Sequence, residues 1–249
     1  MIWPRVVDRR TLAVSITHVS WQTRFRHNLS TVADIAHANG ACLIVDAAQS
    51  AGALDVDVHR VGVDFMTRLA MKWLLGSPGV GFLFVAREHL ERSTPPQVGY
   101  AGLERPFELG SPLVFKHGAQ RHELGLPNLS GLAAAREGID ILLRVGLQRV
   151  EQHVLELSGY AIEQLRSRGL TPLTPIEPEC RAGIVALQVA KSVELVDFMR
   201  GRSVDVWTEP NLRLLRIDPH LFNHRSDLDR FLAGLDEFAR IHGHSAVEP

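Results

Sequence analysis

Lys72 is the residue whose type and surroundings most clearly predict chemistry. The chain contains 27 lysines and arginines, of which only Lys72, Lys116 and Lys191 are lysines. Lys72 lies in the apolar run 69–75, where a lysine can simply extend its amine past apolar neighbours into solvent. A lysine amine also forms a Schiff base with a carbonyl carbon, which an arginine guanidinium does not do. In a chain that uses arginine almost everywhere else, a lysine at this position predicts a Schiff base.

An aspartate that ends an apolar strand is the second residue of interest. Asp46 follows the apolar run 42–45, and Ala47, Ala48 and Gln49 come directly after it. In open α/β sheets, ligands bind at the carboxyl ends of the strands, so we expect Asp46 at the ligand crevice. An aspartate after a strand also commonly begins a helix as its N-cap, and the sequence leaves that alternative open.

Alternating strands and helices are predicted to position these residues. The hydrophobic patterns indicate strands over 12–16, 42–45, 63–66, 79–86, 183–189, 204–208 and 212–217, and helices over 29–39, 129–143, 147–168, 193–200 and 226–242. Residues 93–128 are rich in proline and glycine, which predicts an irregular segment. This order favours an α/β fold with a mostly parallel sheet, followed by a small α/β domain. The boundary near residue 145 gives domains 1–145 and 146–249.

Composition argues against several classes of protein. The 249 residues carry a formal net charge of -1, which argues against nucleic acid as a partner. No apolar run has the length of a membrane span, and residues 1–10 lack the apolar core of a secretory signal. Two cysteines cannot form a disulfide framework, and the histidines form no metal-binding motif, so no metal site is predicted. These features predict a cytoplasmic protein with no membrane and no nucleic-acid partner.

Seven short motifs are distributed along the chain. They are Thr17-His18-Val19-Ser20-Trp21, Asp46-x-Ala48-Gln49, Val56-Asp57-Val58, Val63-Asp64-Phe65, the run from Lys72 to Gly81, Glu123-x-Gly125-x-Pro127-Asn128 and the run from Arg216 to Asn223. Together they resemble the class-V aminotransferase family, which includes cysteine desulfurases and isopenicillin N epimerase-like enzymes. The resemblance spans nearly the whole chain. It implies a fold-type-I enzyme that depends on pyridoxal 5′-phosphate, with part of a large domain and a small C-terminal domain.

The resemblance also implies a role for five residues. Lys72 would be the catalytic residue, because it would hold the cofactor as a Schiff base and move protons at the substrate α-carbon. Asp46 would pair with the pyridinium nitrogen, Ala48 would pack against a face of the ring and Gln49 would bind the phenolic oxygen. Arg216 would bind the substrate carboxylate through two parallel hydrogen bonds. The alternative for Arg216 is a surface arginine at the end of a strand.

Several positions depart from the family pattern, and three of them affect phosphate binding. Leu69 and Met71 stand where family members usually carry a serine and often a histidine or tyrosine. Leu126 replaces the threonine that reaches the phosphate of the partner subunit. Each replacement removes a hydrogen-bond donor from a doubly charged group that needs several. Trp21 stands where desulfurases carry an asparagine.

The beginning of the chain is the largest departure from the family. Family members carry further strands of the large sheet before the strand that starts at Leu12. That part also holds the turn that cradles the phosphate at a helix N-terminus and the aromatic residue that stacks on the ring. A half sheet exposes a strand edge and an apolar face. We therefore expect an N-terminally truncated fragment, or a chain whose partner covers that surface.

The sequence leaves two functions open. A desulfurase needs a nucleophilic cysteine shortly before the substrate-binding arginine, but residues 190–215 contain none and Cys180 lies well before them. The run 72–76 favours the epimerase-like and aminotransferase-like branch. The first hypothesis is a homodimeric enzyme that transaminates, epimerises or eliminates from an amino acid or related amine through the Lys72 Schiff base. The second is a noncatalytic truncated homologue or interaction subunit that does not hold the cofactor alone.

Overall fold

The computed structural model describes residues 3–110 and 112–247, and the chain divides into two compact units. The first unit contains residues 3–18, 28–51 and 56–144 of the described chain, and the second contains 19–27, 52–55 and 145–247. The predicted domains have a single boundary near residue 145, whereas the second unit also includes two short segments from earlier in the chain. No helix in the described ranges is both long enough and apolar enough to cross a lipid bilayer.

The first unit is built on a four-stranded sheet. Its strands are β1 (Ala13–Thr17), β2 (Cys42–Asp46), β3 (Phe65–Leu69) and β4 (Gly81–Val85), and they lie in that order. The strands β1, β2 and β3 run parallel to one another, and β4 runs antiparallel to β3. The prediction of an α/β fold with a mostly parallel sheet is therefore confirmed.

Five helices accompany these strands in the described part of the chain. They are α1 (Trp3–Val6), α2 (Leu29–Ala38), α3 (Val58–Val61), α4 (Arg87–Leu90) and α5 (Leu129–Val145). Two of them, α2 and α3, connect one strand to the next. Helix α2 begins where the Asn28 side chain accepts a hydrogen bond from the backbone N–H of Thr31 (3.1 Å), which caps the helix. Its buried residues Leu29, Val32 and Ala36 repeat with helical spacing. The sequence does not predict α1, α3 and α4, because four residues are too few to show a periodic pattern.

Residues 93–128 form an irregular segment, as predicted, and their described part contains short 3-10 turns and an isolated β-bridge between Leu103 and Phe115. Buried Arg121 fixes this segment by donating hydrogen bonds to the backbone carbonyl oxygens of Leu90, Ser93 and Lys116. A buried arginine that satisfies several carbonyl groups gives a fixed backbone to a stretch without regular structure.

The second unit is a three-stranded antiparallel sheet packed against helices. Its elements are α6 (Leu147–Ser167), β5 (Val185–Gln188), α7 (Ser192–Arg200), β6 (Trp207–Glu209), β7 (Leu214–Ile217) and α8 (Arg225–His242). The strands lie in the order β5-β7-β6, and the core contains buried side chains from sheet and helices, including Leu165, Leu187, Leu195, Met199, Leu215 and Phe238. The predicted small α/β unit is confirmed, although the strand predicted over 204–208 is wrong for its first three residues.

Candidate active site

Asp46 is the last residue of β2, and the sheet register fixes its position. It is paired with Thr17 on β1 and with Thr67 on β3. The exposed Asp46 side chain accepts a hydrogen bond at Oδ1 from the backbone N–H of Ala48 (2.8 Å), which makes an Asx turn. No helix in the described part of the chain begins at Asp46, so the N-cap alternative is wrong. The structure therefore places a carboxylate at the carboxyl end of a parallel strand.

The turn that carries Lys72 directly follows β3. Two backbone hydrogen bonds close it, from Leu75 N–H to the Lys72 carbonyl oxygen (3.2 Å) and from Gly76 N–H to the Ala70 carbonyl oxygen (2.8 Å). A Cβ at Gly76 would lie 2.9 Å from the Ala70 Cβ and 3.1 Å from the Ala135 Cα, so only glycine allows this approach to α5. Leu75 has a φ of 58°, which costs a leucine roughly 1–2 kcal/mol. Packing therefore holds the turn in one conformation, with the Lys72 side chain exposed.

A hydrogen bond joins the turn after β2 to the turn after β3. The indole Nε1 of Trp73 donates to Oε1 of Gln49 (3.2 Å), and both Trp73 and Ala48 are buried. The two turns leave the sheet side by side, because Ala47 N–H donates to the Thr67 carbonyl oxygen (2.9 Å). The four predicted residues of the first unit thus lie at one edge of the sheet. Sequence reasoning missed Trp73 as the residue that positions Gln49, since a tryptophan in an apolar run gives no polar signal.

Two exposed apolar residues come just before Lys72 in the chain. Leu69 is 41% exposed and Met71 is 50% exposed. Neither side chain carries a donor for a phosphate oxygen. The surface beside Lys72 is therefore apolar where the family resemblance implies polar side chains.

Arg216 belongs to the second unit, where it lies on the middle strand β7. Its Nε and Nη2 both donate to Asp218 Oδ2, at 2.9 and 2.6 Å. The guanidinium carbon lies 4.9 Å from the centroid of the Trp207 ring, and the side chain is 17% exposed. Arg216 is thus a mostly buried arginine stacked on an aromatic ring, and its Nη1 takes no part in the hydrogen bonds to Asp218.

A second arginine of this unit, Arg24, is fully buried and escaped sequence reasoning. None of the described residues accepts a hydrogen bond from its three guanidinium nitrogens. Burial and the positive charge of Arg216 lower the pKa of Arg24 to about 10, while Asp218 acts in the opposite direction. Arg24 also has a φ of 61° in a turn where its N–H donates to the Ser20 carbonyl oxygen. In a chain this rich in arginine, nothing in the sequence distinguishes Arg24 from a surface residue.

Replacing Arg24 with methionine is expected to raise the free energy of unfolding by about 1–3 kcal/mol. Methionine fills much of the same space with an apolar chain and removes a buried charge that lacks a hydrogen-bond acceptor. Arg24→Lys keeps the positive charge and serves as the matched control, with no expected gain. Denaturant unfolding followed by circular dichroism compares the three proteins. A methionine variant that is less stable than the wild type would contradict this assignment.

A cavity of about 320 Å³ lies in the second unit beside Asp218. Its lining combines apolar side chains with polar ones, which include Asp205, Asn223, Asp227 and Arg230. None of the predicted residues of the first unit lines this cavity. Asp46 and Lys72 are instead exposed, so the predicted cofactor residues lie on an open face of the first unit.

Proteins with similar sequences include an aminotransferase and a desulfurase. The chain is 27% identical over 233 residues to an uncharacterized aminotransferase of Bacillus subtilis (strain 168), covering 94% of this chain and 60% of that protein. It is 28% identical over 253 residues to a probable cysteine desulfurase of Halalkalibacterium halodurans, covering 96% of this chain and 61% of that protein. The chain thus spans about 60% of the length of these curated relatives.

A solved structure and a family model agree with these sequence similarities. The apo structure of a cysteine desulfurase from Thermococcus onnurineus NA1 matches with a TM-score of 0.84 and 25% identity, covering 92% of this chain and 60% of that chain. The fold-type-I interpretation of the sequence is therefore confirmed. The family model described as aminotransferase class-V matches residues 3–200. The chain therefore belongs to the class-V aminotransferase family, whose cofactor is pyridoxal 5′-phosphate.

Proposed function

We propose that this chain contributes the Schiff-base lysine and the ring contacts of a pyridoxal 5′-phosphate enzyme that acts on an amino acid or related amine. The observation that carries the proposal is the Gln49–Trp73 hydrogen bond, which joins the turns after β2 and β3. With the register of these strands, it supports a site that combines Asp46 and Lys72. This is the edge at which open α/β sheets bind their ligands.

The residues at this edge fit the ring of the cofactor better than its phosphate. Asp46 offers an exposed carboxylate, which suits a protonated ring nitrogen. Ala48 is small enough to pack against a flat ring, and Gln49 carries an amide for the ring oxygen. Leu69 and Met71 offer no side-chain donors to the phosphate. We infer that other groups hold the phosphate.

In the proposed chemistry, three charged side chains have separate roles. When bound, the cofactor supplies an electron sink for negative charge that develops at the substrate α-carbon. Lys72 would hold the cofactor covalently and move the proton at that carbon through Nζ. Asp46 would keep the ring nitrogen protonated, and Arg216 would bind the substrate carboxylate. Transamination, epimerisation and elimination all draw on these roles, and the proposal includes all three.

The cysteines of this chain give no support to a desulfurase reaction. Residues 190–215 contain no cysteine that could attack a substrate held by Arg216. Cys180 ends a short 3-10 turn, and its carbonyl oxygen accepts a hydrogen bond from the backbone N–H of Arg26 (2.8 Å). Cys180 also lies well before Arg216 in the chain, outside the segment where such a nucleophile is expected.

A noncatalytic interaction subunit is the second candidate, and exposed apolar side chains favour it. Exposed Leu69 and Met71 come just before Lys72, and Leu126 is 77% exposed. Exposed apolar side chains such as Leu69 and Met71 are found at protein–protein contacts. A subunit that binds a partner through this face, or a second copy of itself as a homodimer, would not need to hold the cofactor alone.

Borohydride reduction distinguishes the two candidates. It converts a Schiff base into a stable secondary amine, so we expect a phosphopyridoxyl group to remain on Lys72. Lys116, Lys191 and the N-terminal amine are the competing amines, and peptide mass spectrometry distinguishes them from Lys72. Labelling of Lys72 alone supports the enzyme. Equal labelling of all three lysines, or no label at saturating cofactor, favours the interaction subunit.

A further inference from the structure

Cys42, Asp64 and His89 lie together at the edge of the first sheet where the parallel strands begin. Cys42 is the first residue of β2, Asp64 immediately precedes β3, and His89 lies in α4, just after β4 ends. Asp46 is at the other end of β2, about 13 Å away along the strand. This cluster is therefore separate from the proposed cofactor site, and the proposed chemistry does not use it.

A single carboxylate organises the cluster. Asp64 Oδ2 accepts a hydrogen bond from Leu43 N–H (2.6 Å) and pairs with His37 Nε2 (2.8 Å). Asp64 Oδ1 lies 2.6 Å from His89 Nε2, and the same nitrogen lies 4.0 Å from Cys42 Sγ. One ligand atom from each of these three residues lies within 4.8 Å of the others. The oxygen Oδ2 is thus held by donors, while Oδ1 faces the same space as the thiol and the imidazole.

The arrangement does not suit a cysteine nucleophile. A cysteine–histidine–aspartate arrangement for catalysis uses the two ring nitrogens of the histidine separately, one toward each partner. Here one nitrogen of His89 faces both the thiol and the carboxylate. Burial and the negative charge of Asp64 raise the pKa of the Cys42 thiol, with Arg92 acting in the opposite direction. A nucleophile needs the reverse shift, so the convergence of these atoms requires another explanation.

We propose that Cys42, Asp64 and His89 bind a zinc ion. One sulfur, one nitrogen and one oxygen ligand suit Zn²⁺, whereas Mg²⁺ and Ca²⁺ prefer oxygen ligands alone. Tetrahedral zinc with bonds of about 2.0–2.3 Å places its ligand atoms about 3.3–3.6 Å apart. The observed separations of 2.6 and 4.0 Å lie on either side of that range, so zinc binding would move His89 away from Asp64 and bring Cys42 closer.

The surroundings of the three ligands support the same site. Leu43 N–H and His37 fix Asp64 Oδ2 and so orient Oδ1 as a single-oxygen ligand, as second-shell partners of metal ligands do. The side chain of Asp64 is 9% exposed and that of His89 is 18% exposed, so solvent reaches the cluster, and water would be the fourth ligand. On binding, the thiol of Cys42 releases its proton to solvent, and the ring proton of His89 moves through solvent from Nε2 to Nδ1. Two metal–ligand bonds then replace the His89–Asp64 hydrogen bond.

Cobalt titration of the chelator-treated chain, without cofactor, tests the site. Co²⁺ replaces Zn²⁺ in such sites, and a thiolate ligand gives it a near-ultraviolet charge-transfer band. We expect this band to saturate at equimolar cobalt, to disappear in Cys42→Ser and to require at least about tenfold more cobalt in His89→Ala. Cys180→Ser removes the other cysteine and is the matched control, in which the band remains. Zinc should likewise raise the melting temperature of the wild type and of Cys180→Ser, but not that of Cys42→Ser.

Two results would overturn the proposal. The first is a wild-type chain that gives no thiolate band with excess cobalt. The second is a band that survives Cys42→Ser and is lost in Cys180→Ser, which would place the metal elsewhere. Circular dichroism of each metal-free variant separates loss of the ligand from loss of the fold. Because serine is nearly the size of cysteine, Cys42→Ser is expected to keep the wild-type spectrum.

Discussion

Replacing Lys72 with alanine is expected to abolish the visible absorption band that forms when the chain is mixed with pyridoxal 5′-phosphate. The band requires a Schiff base conjugated with the ring, and alanine has no amine to form one. We expect a complete loss, because Lys72 is the lysine carried by the turn beside Asp46 and Gln49. Spectra of the wild type and the variant at equal cofactor concentration measure the effect.

Three variants control for the charge of Lys72 and for Schiff bases formed by the other two lysines. Lys116→Ala and Lys191→Ala should keep the band, since they leave the turn after β3 unchanged. Lys72→Arg keeps the positive charge and nearly the length of the side chain, and it should still lose the band because a guanidinium forms no Schiff base. A band that persists in Lys72→Ala would contradict the assignment. A wild-type chain with no band would remove the enzyme proposal in favour of the interaction subunit.

Short-range patterns account for the parts of the fold and of the candidate site that the sequence predicts. The apolar run before Asp46 forms β2 because a buried strand of a parallel sheet is apolar on both faces. The break between α5 and α6 occurs at Gly146, where φ is 92° and glycine is favoured. In both cases the controlling residues are neighbours in the chain, so a single sequence contains the information.

Contacts between distant parts of the chain account for what the sequence does not predict. The segment 19–27 belongs to the second unit, where Arg26 donates to Glu151 Oε1 (2.8 Å) and, through its backbone, to the Cys180 carbonyl oxygen. More than a hundred residues separate Arg26 from Glu151. Neither residue type nor local spacing shows that such partners meet. The cluster around Asp64 escaped prediction for the same reason, since its members come from three different elements.

Asp64→Ala is expected to lower the free energy of unfolding by about 3–5 kcal/mol. Asp64 is a largely buried carboxylate that joins Leu43 N–H, His37 and His89. Its removal leaves a buried backbone N–H without an acceptor and two histidines without this hydrogen-bond partner. Denaturant unfolding with a metal chelator present measures the change without any contribution from bound zinc.

The exposed pair of Asp8 and Arg10 provides the matched control. Their side chains are 53% and 91% exposed, so Asp8→Ala is expected to change the free energy of unfolding by at most about 0.5 kcal/mol. Equal effects of Asp8→Ala and Asp64→Ala would show that the Asp64 cluster does not stabilise the fold. Asp64→Asn, which keeps the shape of the side chain without its charge, separates charge from packing.

Acid unfolding of the wild type and Asp64→Asn tests the charge of Asp64 directly. Burial raises the pKa of Asp64, but hydrogen bonds from Leu43 N–H, His37 and His89 outweigh burial and hold that pKa below its ordinary value of 3.8. A carboxyl group with a depressed pKa in the folded state contributes stability that is present above its unfolded pKa and is lost as the pH falls through its folded pKa. The stability advantage of the wild type should therefore shrink as the pH falls below 3.8. An advantage that stays constant from about pH 6 to about pH 2 would mean that these hydrogen bonds do not favour the ionised carboxylate.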